Sequence, residues 1–355
     1  MAYDSIRPGE LWLDTDGKPI YAHGFSVIWD EKSGYYYWYG ENKEKSKGGL
    51  FNKVWTYGFR YYRSRDLYNW EDMGLFIEPS TDIRNPLHPS YQQDRPHILY
   101  CEKTGKYVCW IKVMSGIVSQ FMVVLQSDNL FGPYEFVHKA LKPLQMDTGD
   151  FTLVKDGEKA YFIFERPHYE MVCADLTDDY TNVTGDYSEH YVGLKPPYQR
   201  ESPAYFRYEG KHYLLTSGTS GYYPNPTWAC SFTDFHGEWT DLGEVCEGDE
   251  TRTSFNSQYC WVMQERKSGK FIACGDRWRP EKHIPKLSAQ IISTMEKRFK
   301  DYQADLSPKT EVRWLDKPKH YSENTKVSRF VWLPIEMENG KPVIRWKNSW
   351  NTEEL

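Results

Sequence analysis

The chain lacks what would place it in a membrane, on a nucleic acid or in a disulfide scaffold. No apolar run approaches the roughly 18 residues of a membrane span. The start, Met1-Ala-Tyr-Asp-Ser-Ile-Arg-Pro8, has neither a charged leader nor an apolar stretch after it. The expected location is therefore the cytoplasm, with a trimmed secreted form as the alternative. The net charge of -6 offers no basic surface for phosphates, so nucleic acid is not an expected partner. The seven cysteines are odd in number and none is spaced C-x-x-C. Cys109, Cys173, Cys260 and Cys274 lie inside apolar strands, which predicts reduced core residues rather than disulfides or zinc ligands. No Gly-, Pro- or Ser-rich linker divides the 355 residues, so one domain over 1–355 is expected. Helical periodicity is scarce. It shows only near Lys286–Lys300, where Leu287, Ile291, Ile292, Met295 and Phe299 have rough helical spacing, and a strand through Gln290 fits there too.

Aromatic residues are abundant: they make up 17% of the chain, with 14 Trp and 28 Tyr. Most are expected to pack between sheets. A few in a cleft suffice to stack against sugar rings. The aromatics also mark a repeat. A charged turn followed by an aromatic-rich strand occurs five times: Gly34-Tyr-Tyr-Tyr-Trp-Tyr-Gly40, Gly105-Lys-Tyr-Val-Cys-Trp-Ile111, Gly157-Glu-Lys-Ala-Tyr-Phe-Ile-Phe164, Gly210-Lys-His-Tyr-Leu-Leu-Thr216 and Gly269-Lys-Phe-Ile-Ala-Cys-Gly275. The glycines recur at intervals of 71, 52, 53 and 59 residues. A period near 50 with several short strands per unit predicts an all-β fold, a single five-bladed β-propeller. Arg329–Pro334 and Pro342–Trp346 read as strands that complete the last or first blade and close the ring.

Upstream of the five turns stand His23, Asp94, Asp150, Glu201 and Gln258. Each opens a segment that turns apolar, as the innermost strand of a blade does. Five such strands bring five polar side chains to the mouth of the central channel. Any one of them alone reads as an ordinary strand-edge residue. Five in equivalent places, three of them carboxylates, read as a site. Paired carboxylates around a pocket suit glycoside hydrolysis, one acting as acid and one as base. The loop Glu44–Gly49 reads as polar and solvated, or as a border of that cleft.

Eight short motifs run in the order found in glycoside hydrolase family 43. They are Ala22-His-Gly24, Tyr37-Trp-Tyr-Gly-Glu-Asn42, Arg95-Pro96, Arg200-Glu-Ser-Pro-Ala204, Thr216-Ser-Gly-Thr-Ser-Gly221, Phe255-Asn-Ser-Gln258, Gly275-Asp-Arg-Trp278 and Ser328-Arg-Phe-Val-Trp-Leu-Pro334. The chain most resembles the family's exo-β-1,3-galactanase branch. The resemblance implies an inverting, exo-acting active site that takes a carbohydrate substrate and removes terminal galactose. It implies no organic cofactor and admits a structural calcium or sodium ion in the channel. An α-L-arabinofuranosidase or β-xylosidase of the same family is the alternative, and a non-catalytic sugar-binding propeller is a second one.

Carried over residue by residue, the resemblance makes Glu201 the general acid and Asp150 the carboxylate that orients and tunes it. The base stays open. Most of the family has Asp in the first blade, where this chain has His23. Asp94 stands where the branch usually has Glu, so it either supplies the base or binds a sugar hydroxyl, or it pairs with Arg95 at the surface. Gln258 orients the attacking water or acts through an unusual tautomer. His23 lines the channel floor, in a structural role before a catalytic one. Glu41 is placed to grip the terminal sugar. Tyr222, Tyr223, Asn225, Asp276 and Trp278 are placed as its stacking and hydrogen-bonding walls.

Overall fold

The structure is a computed structural model that describes residues 2–48, 53–115, 119–280, 285–300 and 323–354. Its strands form five antiparallel sheets around a channel. Blade one is β1 (His23–Asp30), β2 (Tyr35–Glu41), β3 (Phe59–Ser64) and β4 (Glu71–Ile77). Blade two is β5 (Gln92–Cys101), β6 (Lys106–Ser115), β7 (Ser119–Ser127) and β8 (Glu135–Leu141). Blade three is β9 (Phe151–Asp156), β10 (Lys159–Glu165), β11 (Met171–Leu176) and β12 (Val183–His190). Blade four is β13 (Arg200–Tyr208), β14 (Lys211–Gly218), β15 (Trp228–Phe232) and β16 (Thr240–Glu244). Blade five joins β18 (Gln258–Gln264), β19 (Phe271–Arg277), β20 (Arg329–Glu338) and β21 (Lys341–Arg345), with the short β17 (Cys246–Glu247) parallel to β21.

The repeated glycines make the hairpins between first and second strands. Gly34, Gly105, Gly157, Gly210 and Gly269 all have φ between +61° and +80°. Four have no atom within contact range of where a Cβ would sit, so the backbone angle, not space, requires glycine there. The C-terminal strands belong to blade five alone, and among the described residues no strand is exchanged between the first and last blades. The ring closes instead through Ile6 and Trp350, which exchange backbone hydrogen bonds of 2.8 and 3.0 Å. Aromatic packing seals that seam: Trp12 lies 5.1 Å from Trp332 and 6.0 Å from Trp38, and Trp38 lies 4.8 Å from Trp332. Trp38, Trp332 and Trp350 are at most 1% exposed, so truncating any one to Ala should cost about 3–5 kcal/mol.

All seven cysteines are unpaired, and six are buried. The helix expected near residue 286 runs Pro285–Lys300; Ile291, Ile292 and Met295 are half-buried, and the side chains of Leu287 and Phe299 lie outside the described residues. No described helix is long and apolar enough to cross a membrane. The Glu44 loop is tied down at its start, where Glu44 pairs with Arg60 at 2.9 Å and Ser46 bonds Thr325 at 2.8 Å. Gly49 lies outside the described residues.

Candidate active site

Each blade presents two polar residues at the same end of the channel. One begins the first strand and its partner ends the second. The strand register pairs His23 with Glu41, Asp94 with Lys112, Glu201 with Ser217 and Gln258 with Asp276. Asp150 and Glu165 complete the set, joined by the Glu165 amide donating to the Asp150 carbonyl at 2.8 Å. The inner five were legible in the sequence. Of the outer five, Lys112, Glu165 and Ser217 were missed. Each follows apolar residues (Cys-Trp-Ile-Lys112, Phe-Ile-Phe-Glu165, Leu-Leu-Thr-Ser217), a pattern that many strands share.

A bulge follows the inner residue in three blades. The register breaks after His23, Asp94 and Glu201, and the next residues, Gly24, Arg95 and Ser202, have φ of +52°, +53° and +54°. A positive φ costs a non-glycine residue on the order of 1 kcal/mol or more. The bulge frees an amide from the ladder and re-aims the side chain before it. The freed amides are caught by the preceding blade. Arg95 N donates to Glu41 Oε1 at 3.0 Å, and Gly24 N donates to Asp276 Oδ2 at 2.8 Å.

On the side of blades two to four, the carboxylates share buried cations. Asp150 Oδ2 lies 2.8 Å from Arg95 Nη2, and its Oδ1 lies 2.9 Å from Lys112 Nζ. Burial alone raises the Asp150 pKa, but Arg95 and Lys112 outweigh it and hold the group well below the usual carboxylate range. Lys112 also lies 3.4 Å from Asp94 Oδ2, while Trp55 Nε1 donates to Asp94 Oδ1 at 2.6 Å. Trp55 was another residue missed.

Glu201 behaves in the opposite way. Burial, then the charges of Glu165 and Asp150, push its pKa well above the usual range. Glu165 is itself raised to about 7 by burial and by Asp150. A hydrogen-bonded line connects these groups. Arg95 Nη2 donates to Gln258 Oε1 at 3.1 Å, and Gln258 Nε2 donates to Glu201 Oε1 at 3.1 Å and to Ser217 Oγ at 2.9 Å. Trp278 Nε1 donates to the same Gln258 oxygen at 3.1 Å. Gln258 is thus engaged at both ends of its amide.

The remaining predicted residues divide by what their polar atoms touch. Tyr222, Tyr223 and Trp278 line a pocket with Ser217, Asn256 and Gln258. The Tyr222 ring lies 5.7 Å from both Trp55 and Trp278. Its hydroxyl pKa is raised by burial and then by Asp94, Glu41 and Asp150. Asn225 and Asp276 line the same pocket with their polar atoms engaged; Asn225 clasps its own loop, donating to Gly218 O (2.8 Å) and Ser220 Oγ (2.6 Å) and accepting from Gly218 N (2.7 Å). Glu41, 2% exposed, meets Lys43 Nζ at 2.5 Å. His23, fully buried, meets Asp276 Oδ1 through Nδ1 at 2.7 Å and stacks on Phe330 at 4.4 Å. Among the described residues no group of three or more His, Cys, Asp or Glu side chains is arranged to hold a metal ion.

A roomier cleft of about 610 Å³ lies at the far, hairpin end of blades one and five, lined by Trp29, Tyr36 and Glu265. Tyr36 donates to Glu265 there at 3.1 Å.

A five-bladed propeller whose mouth sets a carboxyl of raised pKa beside charge-paired carboxylates fits a glycosidase-type site. Residues 21–227 match the model of glycosyl hydrolases family 43, and the chain belongs to that family. Among solved structures it is similar to a family-43 β-1,3-galactosidase, at 29% identity and a TM-score of 0.77 over 99% of this chain and 64% of that one. A second β-1,3-galactosidase of the family, solved with galactodeoxynojirimycin, is 25% identical with a TM-score of 0.75 over 98% of this chain and 100% of that one. An exo-β-1,3-galactanase from Clostridium thermocellum shares the fold at 24% identity and a TM-score of 0.73, over 97% of this chain and 66% of that one. The chain thus spans less than two thirds of the first structure's length and all of the second's. No curated protein sequence matches it.

Proposed function

We propose that the protein is an exo-acting, inverting glycoside hydrolase that releases terminal galactose from β-1,3-linked galactose chains. The observation that carries this reading is Glu201: a carboxyl kept protonated by burial and by two like-charged neighbours, at the mouth of a propeller. An acid must hold its proton near neutral pH to deliver it. Gln258 donates to Glu201 Oε1, which leaves Oε2 as the oxygen to carry the proton to the glycosidic oxygen. The sugar is inferred from the two β-1,3-galactosidases, which are 29% and 25% identical to this chain.

The base is assigned to Asp94 rather than Gln258. The Gln258 oxygen already accepts from a guanidinium and an indole. Two donors, one of them cationic, leave it no basicity for water. Asp94 is a carboxylate held by Trp55 and Lys112 on a different blade from the acid. In the reaction, Glu201 protonates the leaving oxygen and the C1–O bond breaks. Water bonds C1 from the other face and gives its proton to Asp94. Gln258 fixes the acid, and Arg95 ties Gln258 to Asp150.

The test is a panel of aryl glycosides and galacto-oligosaccharides, with the first-formed product followed by NMR. The expected result is free galactose of inverted anomeric configuration. Turnover of arabinofuranosides or xylosides ahead of galactosides, retention, or no turnover of any glycoside overturns the proposal.

A further inference from the structure

The direction in which the leaving group departs follows from where the acid sits. Glu201 must reach the departing oxygen, so the rest of the substrate chain leaves beside blade four. Blade four carries, at that same end, an aromatic pair that the catalytic groups do not use. Glu201 pairs with Ser217 across the hairpin, and the adjacent Thr216 pairs with Trp228 on β15. Two strand spacings separate Trp228 from the acid, roughly 10 Å outward along the sheet. Tyr198 lies in the segment that enters β13, three residues before Glu201. Its ring centroid is 6.4 Å from that of Trp228, with the planes 31° apart.

Both rings are kept at the surface. Tyr198 is 41% exposed and Trp228 is half-buried. Neither joins any of the five core clusters. Arg200 backs the platform. Its guanidinium lies 4.4 Å from the Trp228 ring centre, and it donates to Thr216 Oγ1 (3.0 Å), Thr216 O (2.5 Å) and Pro226 O (3.4 Å). Arg200 is 2% exposed. A buried cation fixed against the indole holds the half-buried ring in place. Rigid Trp and Tyr surfaces contribute contact area at little entropy cost.

We infer that Tyr198 and Trp228 form a distal subsite that stacks a pyranose ring of the substrate beyond the bond being cleaved. The ligand class is a galactose residue of a β-1,3-linked chain, on the leaving-group side. This assignment rests on the proposed function and adds a preference for longer substrates.

The experiment compares an aryl β-galactoside, which reaches only the terminal pocket, with β-1,3-galactotetraose. The unaltered protein should favour the tetrasaccharide in kcat/KM. Trp228→Ala and Tyr198→Ala should each lower kcat/KM on the tetrasaccharide about tenfold more than on the aryl substrate, mainly through KM, as one lost aromatic contact would. Trp228→Phe should recover most of the difference. Trp346→Ala, which removes an exposed tryptophan from blade five, should show no chain-length effect. Equal losses on both substrates, or equal effects of Trp346→Ala and Trp228→Ala, overturn the subsite. Failure of the aryl substrate to turn over in the unaltered protein counts against the proposed function instead. The subsite is then judged by tetrasaccharide titration alone, where equal affinity of the unaltered protein and Trp228→Ala overturns it.

Discussion

The two sides of the channel mouth use the same register positions for different ends. On the side of blades one and five, the carboxylates are fixtures. Asp276 holds His23 and the Gly24 amide, and Glu41 holds Lys43 and the Arg95 amide. Each staples one blade to the bulge of the next. On the side of blades two to four, the equivalent positions face one another. Asp94, Asp150, Glu165 and Glu201 gather around Arg95 and Lys112, and Lys53 also acts on Asp94. The carboxyls outnumber the cations beside them, and burial with the charges of Glu165 and Asp150 raises the Glu201 pKa. Position in the ladder brings a carboxyl to the mouth. Whether it does chemistry depends on how many of its lone pairs are already taken.

The strongest way to break that comparison is to neutralise Glu201. Glu201→Gln keeps the Gln258 contact and removes the proton donor. Turnover of an unactivated galactoside should fall by roughly 10²–10⁴, and the loss should shrink on an aryl substrate whose leaving group needs little protonation. Equal losses on both would show that Glu201 is not the acid. Asp94→Asn comes next, with an expected loss on the order of 10²–10³. Azide needs no base, so it should restore turnover to Asp94→Asn and yield a glycosyl azide. Gln258→Ala should lose less and gain nothing from azide. Rescue of the Gln258 variant alone would move the base to the glutamine.

Much of this arrangement was legible before any coordinates. The glycine turns fixed the blade count because a tight hairpin forces positive φ at one residue, and that requirement shows in composition. The inner ring was legible because each first strand opens with a polar residue. Lys112 and Glu165 were not, because the end of a second strand looks like any strand end until the register sets it beside its partner. Trp55 was invisible for another reason: it reaches Asp94 from a loop between strands of blade one. The inter-blade duties of Glu41 and Asp276 were hidden too. They depend on bulges that no local pattern announces, at Gly24 in one case and at Arg95 in the other.

Glu165 offers a finer probe of the reactive side. Above its own pKa of about 7 it bears a charge that helps hold the proton on Glu201. Activity requires protonated Glu201 and so falls as pH rises through that group's pKa. Glu165→Gln removes a like charge, which lowers the Glu201 pKa. The alkaline limb of kcat/KM should therefore move to lower pH by about one unit, while the acid limb stays in place. An alkaline limb that moves upward, or a shift confined to the acid limb, would sever Glu165 from the acid.

The smallest catalytic effect is expected on the other side of the mouth. In Asp276→Asn the amide oxygen can still accept from His23 Nδ1, but the amide NH₂ then faces the Gly24 amide, and two donors meet in a fully buried place. Leaving the Gly24 N–H unsatisfied should cost on the order of 1–3 kcal/mol, read as a Tm lowered by a few degrees. Turnover of the aryl galactoside should fall less than tenfold, since neither Asp276 oxygen is available to a sugar. The informative measurement is therefore the pair of values, Tm and kcat/KM, set beside those of Asp94→Asn. Asp94→Asn should show the reverse pattern, a large kinetic loss with a small change in Tm, because the Asn oxygen can still accept from Trp55 and Lys112 keeps Asp150. A kinetic loss in Asp276→Asn as deep as that in Asp94→Asn, with Tm unchanged, would make Asp276 a reactive-side residue and abolish the division between the two sides.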